Sequence, residues 1–246
     1  MEVALQWLKN ARGIMSEIEN TQQENITKAA TLMADCIEKG HWVHTFGCGH
    51  ATIPIQEMYP RIGGFVGFHP ICELPLTFFT QIVGDLGVHQ FVFLERVEGY
   101  GVQIMKGYNF DKDDVMWIFS HTGINNVNID IALEAKKRGM KVIAYGAAAQ
   151  AKGKKTFEIA DLVVDSCAPA GDATVHLKNN QDPVGPVSTI AFITCVWMTV
   201  CTVAEILDSR GVKLYIHPSH NVPGDTTAPE RLAACLAEYK RRVAGV

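Results

Sequence analysis

The chain has 246 residues, 48% of them hydrophobic and 20% charged, and this length and balance allow one large globular domain with a substantial core. The net charge of −4 excludes a general electrostatic attraction to nucleic acid or to anionic lipid, so we expect neither partner. The seven cysteines are an odd number and lack zinc-finger spacing, which favours a reducing, cytoplasmic environment.

Hydrophobic periodicity and turn residues predict helices and strands in alternation along the chain. In chain order the predicted elements are a helix at Glu17–Lys39, a strand at His41–Phe46, a helix from Pro54 to about Gly63, strands at Phe65–Phe68 and Val115–Phe119, a helix at Ile129–Ala135, strands at Lys141–Tyr145 and Ala160–Asp165, and helices at Pro186–Asp208 and Pro229–Val243. Residues 72–108 suggest short helices and loops, with 86–94 ambiguous between helix and strand. The most apolar stretch, Thr189–Leu207, contains Glu205 and several threonines, so we expect a buried helix and no membrane span.

The alternation of strands with helices predicts a parallel sheet. The apolar, β-branched character of the strands indicates that both faces of the sheet are covered. We therefore predict an α/β fold with a doubly wound parallel sheet flanked by helices. This domain is expected over residues 41–246, after a helical arm over residues 1–40. The long helix Glu17–Lys39 needs a partner for its apolar face, so a homodimer or homotetramer formed through it is expected.

The loop after the predicted strand Val115–Phe119 is suited to an anion. Ser120, Thr122 and Gly123 follow that strand directly and precede a helix. The helix dipole favours an anion there by about 0.3–1 kcal/mol, and each hydrogen bond to a charged oxygen adds about 1.5–3 kcal/mol. Ligands of doubly wound sheets bind at this edge of the strands. The sequence therefore predicts a site for phosphate, or for a sulfonate or sulfate of similar shape.

The loop Gly47-Cys48-Gly49-His50 begins like a dinucleotide-binding fingerprint. Thr52 stands where that fingerprint needs a third glycine, and no acidic residue closes the next strand about twenty residues later. Nicotinamide binding is therefore disfavoured, and no cofactor is expected. Alone, the loop is also compatible with a plain strand-to-helix turn. Together with the loop at Ser120, it is predicted to line a ligand.

These two loops resemble those of the sugar isomerase (SIS) domain family. Ser120–Gly123 followed by Ala135–Ala144 is similar to the family's serine-x-serine/threonine-glycine and AK-x-x-G-x-x-V-I-A patterns. Most of residues 15–243 also resembles an uncharacterised phosphosugar-binding, phosphoheptose isomerase-like subgroup, whose landmarks match Gly49-His50, Glu57, Arg61–Gly64, Leu94–Tyr100, Gly171–Ala173 and Val184–Thr189. The resemblance implies a Rossmann-like, flavodoxin-like SIS fold and a phosphosugar ligand. Asn125 replaces a common serine or threonine, and the connector at Gly146–Lys155 is shorter, so the substrate or partner can differ.

The resemblance and the loop chemistry together assign a binding site. The anion-binding residues are predicted to be Ser120, His121, Thr122, Gly123 and Asn125, and the sugar is predicted to lie against Gly47, Cys48 and Gly49. By the resemblance, Ser188 and Thr189 at the start of the long helix close the pocket, while plain helix capping by these hydroxyls is the alternative. Asp182 is the carboxylate taken as nearest to this helix start. It is a third candidate for the catalytic base, after the two glutamates described next.

SIS proteins either isomerise phosphosugars or sense them, so a catalytic base has to be sought separately. Aldose–ketose exchange moves a proton between adjacent carbons through an enediol, and a carboxylate with a raised pKa does this well. Glu57 and Glu98 are the candidate bases; a salt bridge between Glu57 and Arg61 and a solvated loop position for Glu98 are the alternatives. His50 and His220, both in predicted loops, are candidate acid–base or ring-opening groups.

Zinc-using phosphoheptose isomerases place a histidine one helical turn before the glutamate that matches Glu57, and Ile53 occupies that position here. No metal site is therefore expected. The sequence thus predicts an enzyme that binds a phosphorylated or similarly anionic sugar and isomerises it between aldose and ketose. Two alternatives remain open: a non-catalytic phosphosugar-binding or sensory protein, and a lyase or etherase that acts on an amino-sugar phosphate.

Overall fold

A computed structural model of the protein describes residues 1–58, 61–78, 87–151, 153 and 155–245. Its elements in chain order are α1 (Glu2–Thr21), α2 (Gln23–Glu38), β1 (Val43–Gly47), a 3₁₀ helix (Gly49–Thr52), α3 (Ile53–Met58), β2 (Phe68–Pro70), α4 (Leu74–Thr77), α5 (Gly87–Leu94), α6 (Tyr100–Met105), β3 (Val115–Phe119), α7 (Asn126–Lys137), β4 (Lys141–Gly146), α8 (Lys155–Ile159), β5 (Leu162–Asp165), β6 (Ala173–Val175), β7 (Val184–Pro186), α9 (Ser188–Ser209) and α10 (Ala228–Val243).

Five of the strands form a parallel sheet in the order β2–β1–β3–β4–β5. At the ends of the central strands, Gly47 of β1 pairs with Phe119 of β3, and Phe119 pairs with Tyr145 of β4. The chain leaves β1 for one side of the sheet and β3 for the other. The loops after these strands therefore meet where the strand order reverses, which is where ligands bind in such folds. The predicted doubly wound parallel α/β fold is confirmed.

Helices cover both faces of the sheet, as the apolar strands predict. Side chains alternate along a strand, so Trp117 and Phe119 of β3 face the core shared with α2 and α9. Met116 and Ile118 face the other way, into a second core shared with α6 and α7. All four side chains are completely buried, and the sheet edge beside Phe119 is therefore held rigidly from both sides.

The N-terminal segment is helical, but it forms two helices instead of the single long one predicted. α1 ends at Thr21 and α2 begins at Gln23, and the side chain of Gln22 between them is nearly buried. Gln22 Oε1 accepts a hydrogen bond from the backbone N–H of Asp165 (3.0 Å), which fixes the break against the end of β5. The apolar face of α2 packs on α9 of the same chain. That face therefore does not need the partner that was expected for it.

Three other stretches differ from the sequence-based elements. The strand expected at Phe65–Phe68 lies at Phe68–Pro70, because Phe65 instead forms an antiparallel bridge with Ile216. Residues 87–94, ambiguous in the sequence, are helical, while Leu86 lies outside the described residues. The strands β6 and β7 form an antiparallel hairpin that the sequence patterns do not predict.

α9 is the central helix of the larger core. By length and composition alone it is the one described helix that could cross a membrane, a criterion that core helices of globular proteins also meet. Its residues Phe192, Cys195 and Val196 are buried in the larger core, and the helix contacts α1, α2 and α3. This is the buried helix that the sequence predicts. Its first residue, Ser188, lies in the cleft described next.

Candidate functional site

A cleft lies between the loops that follow β1 and β3 and the start of α9. It has a volume of about 170 Å³ and is lined by Cys48, His50, Ala51, Phe119, Ser120, His121, Thr122, Asn125, Asn128, Asp172, Ser188 and Phe192. A second cleft of about 360 Å³ adjoins it and shares His121, Thr122 and Asp172. Together the two clefts fall in the size range of small-molecule sites, about 300–1,000 Å³.

The loop after β3 is fixed by hydrogen bonds and by close contacts with α8. Ser120 Oγ accepts a hydrogen bond from the backbone N–H of Gly123 (3.0 Å), so its hydroxyl hydrogen remains available as a donor. Gly123 has φ +73°, and its carbonyl accepts a hydrogen bond from Thr156 N–H (3.0 Å). A Cβ on Gly123 or on Gly146 of β4 would overlap with Phe157. The loop is thus pre-formed, with Thr122 exposed at the cleft.

The start of α7 forms one wall of the cleft. Asn125 precedes the helix, and its side-chain amide donates a hydrogen bond to the Glu95 carboxylate instead of capping the helix. The backbone carbonyl of Glu95 also accepts a hydrogen bond from Val127 N–H (3.3 Å). Asn128, one turn further on, is 1% exposed and lies 3.5 Å from Cys48 Sγ through its Oδ1. The first turn of α7 therefore brings amide groups and its positive dipole end to the cleft.

The loop after β1 supplies the floor of the cleft. A Cβ on Gly47 would overlap with the backbone of Ala51, and Gly49 has φ +61° with Phe91 against it, so both glycines serve the tight turn. Cys48 is buried, and burial together with the nearby Glu95 carboxylate raises the pKa of its thiol. The thiol therefore remains protonated and lines the cleft as a small apolar group.

Asp172 joins the β6–β7 hairpin to the start of α9. Its Oδ1 accepts hydrogen bonds from the backbone N–H groups of Val187 (2.8 Å) and Ser188 (2.6 Å). Its Oδ2 accepts a hydrogen bond from Ser188 Oγ (2.8 Å). The predicted pocket hydroxyl of Ser188 is thus already engaged within the chain. Asp182, the carboxylate that the sequence placed nearest to this helix, is instead an exposed residue in the segment between the two hairpin strands.

The predicted glutamates do not line the cleft. Glu57 on α3 forms an ion pair with Arg61 and lies 3.4 Å from the indole nitrogen of Trp197, which matches the alternative role considered for it. Glu98 is exposed in the turn before α6. Besides Asp172, the carboxylate of Glu95 lies close to the cleft; it is half-buried and contacts Asn125. Burial raises the pKa of Glu95, while the neighbouring Arg96 opposes that shift.

Of the two predicted histidines, one lines the cleft and the other does not. His50 is exposed and lines the cleft. His220 lies in the loop after residue 216, with its ring 6.3 Å from that of His217, and it does not line the cleft. His121 lines both clefts, and its Nδ1 is buried without a hydrogen-bond partner among the described residues. His50 and His121 are thus the histidines whose side chains border the cleft.

The cleft therefore brings together part of the predicted site. The predicted residues that line it are Cys48, His50, Ser120, His121, Thr122, Asn125 and Ser188. Others belong to the same loops or helix start without lining it, namely Gly47, Gly49, Gly123 and Thr189. Asn128, Asp172 and Glu95 were missed. The dipeptide Gly171-Asp172 was noted as a family landmark, but only its tertiary contact with α9 shows what the aspartate does.

One group of side chains in the described part of the chain has the spacing of metal ligands. It consists of His41, Asp111 and Asp113, of which both aspartates are exposed. His41 precedes β1 and the aspartates precede β3, so the group lies at the edge of the sheet opposite the cleft. It therefore takes no part in the chemistry of the cleft.

The relationship to known proteins agrees with this architecture. A UPF0309 protein from Shouchella clausii is 30% identical over 251 residues, 99% of each chain. A phosphoheptose isomerase from Francisella tularensis superposes with a TM-score of 0.55 at 16% identity, over 81% of this chain and 95% of that chain. The sugar isomerase domain of an RpiR transcription factor from Sphaerobacter thermophilus gives a TM-score of 0.50 at 16% identity, over 98% and 99%. Residues 6–146 match the family model of the SIS domain, so the chain belongs to the SIS domain family, as the resemblance of its loops predicts.

Proposed function

We propose that the protein binds a phosphorylated or similarly anionic sugar in this cleft and isomerises it between aldose and ketose. The observation that carries the proposal is the meeting of the Ser120–Asn125 loop, the start of α7 and the Cys48–His50 loop around one cleft. Membership of the SIS family and the fold shared with a phosphoheptose isomerase support a phosphosugar as the ligand.

The anion would be held by neutral donors. Among the described residues that line the two clefts there is no lysine or arginine. The Ser120 and Thr122 hydroxyls, the Asn125 amide and the dipole of α7 are the groups that remain for a tetrahedral oxyanion. Hydrogen bonds to a charged oxygen contribute about 1.5–3 kcal/mol each. Contacts along the sugar must add to them, because association itself costs at least about 4 kcal/mol. A sulfate or sulfonate head would meet the same donors.

Proton transfer needs a group beside the sugar. A base removes the proton from C2 of the aldose, the electrons pass to the C1 carbonyl to form an enediol, and the proton returns at C1. We assign the base to Glu95, whose carboxylate contacts the cleft residue Asn125 and whose pKa is raised by burial. It would reach the sugar once the Asn125 amide turns from it to the bound anion. His50, which lines the cleft, would move a proton between the two sugar oxygens. These roles replace the ones predicted for Glu57, Glu98 and His220.

A sensory function is the second candidate. The carboxylate that lines the cleft, Asp172, has both oxygens engaged by the start of α9, and Glu95 reaches the cleft only through Asn125. A site without a free carboxylate in contact with the sugar would bind and not convert it. The fold shared with the sugar isomerase domain of a transcription factor supports the same possibility. An amino-sugar-phosphate lyase or etherase would need the same base as the isomerase.

The setting of this function is also a proposal. All seven cysteines are free thiols, which supports a reducing, cytoplasmic location. The net charge of −4 supports a small-molecule partner instead of nucleic acid. Leu5, Leu8 and Met15 lie on the outer surface of α1 with 37–58% of their surface exposed, and they support self-association into a homodimer through α1. Static light scattering measures that state directly.

The test is a thermal-shift screen against aldose and ketose monophosphates, sugar sulfonates and amino-sugar phosphates, followed by proton NMR in deuterated water. A ligand at a hundredfold its Kd stabilises the folded state by about 2.7 kcal/mol, which is readily detected. Exchange of a C1 or C2 proton supports isomerisation, whereas stabilisation without exchange favours the sensor. Formation of lactate or an amine would mark the lyase or etherase. No stabilisation by any anionic sugar would overturn the proposal.

A variant of the anion site sharpens this screen. Thr122→Val removes one hydroxyl donor at nearly constant volume, and we expect it to weaken sugar-phosphate binding by about 10-fold. Thr226→Val makes the same exchange at an exposed threonine outside both clefts, so its binding should match that of the unaltered chain.

A further inference from the structure

We infer that Asp172 restricts the cleft to sugars with one anionic group, bound at α7, because its carboxylate already occupies the start of α9. The inference rests on the proposed function and deepens it by naming the substrate class: a monophosphorylated sugar whose other end is a neutral, hydroxylated carbon.

Two helices begin at the cleft, and both starts favour negative charge. At α9 the backbone N–H groups of Val187 and Ser188 donate to Asp172 Oδ1, and the Ser188 hydroxyl donates to Oδ2. An internal carboxylate thus takes the donors that a second phosphate would use. The start of α7 differs, because no side-chain hydrogen bond caps it and Asn125 turns its amide to Glu95. That start is left for a ligand.

The backbone of Asp172 shows how firmly this arrangement is held. Its φ of +66° lies in the left-handed region, which aspartate and asparagine tolerate better than most residues. Gly171 before it has φ +85°, and Ala173 after it begins β6. Two consecutive left-handed residues turn the chain sharply and direct the Asp172 carboxylate at the helix start. The left-handed conformation costs free energy at a residue other than glycine, and it persists because the contact with α9 holds it.

The charge of Asp172 then determines what lies opposite the anion site. Asp172 lines both clefts, and no described lysine or arginine lines either of them to offset its charge. A second phosphate would meet a like charge at close range and find the N–H groups of Val187 and Ser188 engaged. A hydroxyl, in contrast, can donate to the remaining lone pair of Oδ2, which accepts one hydrogen bond within the chain. The unphosphorylated end of a sugar therefore fits beside Asp172.

The test compares three monophosphates with their bisphosphates by calorimetric titration: fructose 6-phosphate with fructose 1,6-bisphosphate, ribulose 5-phosphate with ribulose 1,5-bisphosphate, and sedoheptulose 7-phosphate with sedoheptulose 1,7-bisphosphate. For any monophosphate that the unaltered protein binds, we expect its bisphosphate to bind at least 10-fold more weakly. Asp172→Asn keeps an acceptor oxygen and tolerates φ +66°, and it should reduce that ratio to 3-fold or less.

Two further variants separate charge from structure. Ser188→Ala removes a hydrogen bond to Asp172 but keeps the charge, so its ratio should remain at 10-fold or more. Asp182→Asn removes an exposed charge between the same two hairpin strands and should also leave the ratio unchanged.

The outcomes distinguish this inference from the proposed function. Failure of the unaltered protein to bind these monophosphates or any anionic sugar of the thermal-shift screen would overturn the proposed function, and the inference with it. Binding of a monophosphate and its bisphosphate with equal affinity would overturn the inference alone, even if the Asp172→Asn variant did not fold. An unchanged ratio in a folded Asp172→Asn variant, shown by its far-UV circular dichroism, would do the same.

Discussion

Glu95 differs from the other glutamates considered for catalysis in its surroundings. It is half-buried, contacts the cleft residue Asn125, and has a pKa raised by burial. Glu57 is instead paired with Arg61, and Glu98 is exposed. A carboxylate with a raised pKa holds a proton more readily near neutral pH, which suits a group that must take a proton and give it back.

We therefore expect Glu95→Gln to slow the exchange of sugar C1 or C2 protons by about 100-fold or more, because general-base catalysis contributes roughly 10²–10⁴ in rate. Glutamine can still accept the hydrogen bond from Asn125, so binding of the sugar phosphate should change less than about threefold. Proton NMR in deuterated water measures the exchange, and calorimetric titration measures the binding.

Glu158→Gln, at an exposed position on α8, is the matched control and should keep the full exchange rate. If instead Glu57→Gln or Glu98→Gln abolished exchange while Glu95→Gln did not, the assignment drawn from the sequence would be right and ours wrong.

The residues of the cleft divide by whether a local pattern marks them. Ser120, Thr122 and Asn125 follow a strand and precede a helix, so the sequence alone suggests an anion site there. Asp172 and Glu95 come from distant segments and meet the cleft through the start of α9 and through Asn125. Both lie in stretches that resemble family landmarks, but the resemblance does not separate Glu95 from the exposed Glu98 of the same stretch, nor does it show what Asp172 contacts.

At the scale of elements, the loop after β3 depends on its fit against β4 and α8. An added Cβ on Gly146 would overlap with the carbonyl oxygen of Ser120 and with the ring of Phe157. Gly146 does not have a positive φ, so alanine is compatible with its backbone and the obstacle is purely steric. The carbonyl that would be displaced belongs to the first residue of the proposed anion site.

We expect Gly146→Ala to lower the free energy of unfolding by about 1–3 kcal/mol, the usual cost of overpacking a filled interior. We also expect it to abolish the stabilisation by sugar phosphates, since Ser120 must shift. Urea unfolding with and without a sugar phosphate measures both effects.

Gly13→Ala provides a contrast within the same protein. Gly13 is exposed in α1, and an added Cβ there meets nothing within 4 Å. Alanine in a helix interior should therefore raise the free energy of unfolding by about 0.5–1 kcal/mol and leave sugar-phosphate binding unchanged. A Gly146→Ala protein as stable as the unaltered one would show that the loop can rearrange around the added methyl group.

The sequence predicts well those elements that a local pattern marks, and it misses those that depend on tertiary contacts. β3 and β4 are apolar because both faces are buried, and their expected bounds agree with the structure to within one residue. The break at Gln22 depends on a hydrogen bond from the backbone of Asp165, and no glycine or proline marks it. The β6–β7 hairpin is similar, because its short strands lack an alternating apolar pattern and are held by the contact of Asp172 with α9.

The whole molecule places the cleft at one edge of the sheet and a buried chain of polar groups at the other. His44 Nε2 donates a hydrogen bond to Asp114 Oδ2 (3.1 Å), which leaves Nδ1 of His44 as an acceptor. His69 Nδ1 lies 3.0 Å from that atom and donates to it. Asp114 also accepts hydrogen bonds from the backbone N–H groups of Trp42 (2.9 Å) and Asp111 (2.7 Å). This series of hydrogen bonds links β2, β1 and the start of β3.

In this arrangement the lone pair of His44 Nδ1 faces the N–H of His69 Nδ1. Burial, followed by the effect of His44, lowers the pKa of His69 from its ordinary value of 6.5 to about 4. The hydrogen bonds to Asp114 lower the pKa of that carboxyl despite its burial, so it remains charged and fixes the His44 tautomer. The local sequence does not reveal this, since both partners of His44 come from distant parts of the chain.

The lowered pKa of His69 predicts that acid destabilises the fold. Between pH 6.5 and about 4 the unfolded chain binds a proton that the folded chain does not, so the free energy of unfolding rises with pH in this range. The contribution is complete above pH 6.5 and is lost as the pH falls through that range. We expect the protein to lose about 2 kcal/mol of stability between pH 7.5 and pH 5 from this residue, as measured by urea unfolding.

His69→Asn keeps a donor near the position of Nδ1 but cannot titrate. The loss of stability between pH 7.5 and pH 5 should therefore shrink by most of those ~2 kcal/mol. His89→Asn replaces an exposed histidine on α5 and should retain the full pH dependence. An equal loss in all three proteins would show that the acid sensitivity arises from groups other than His69.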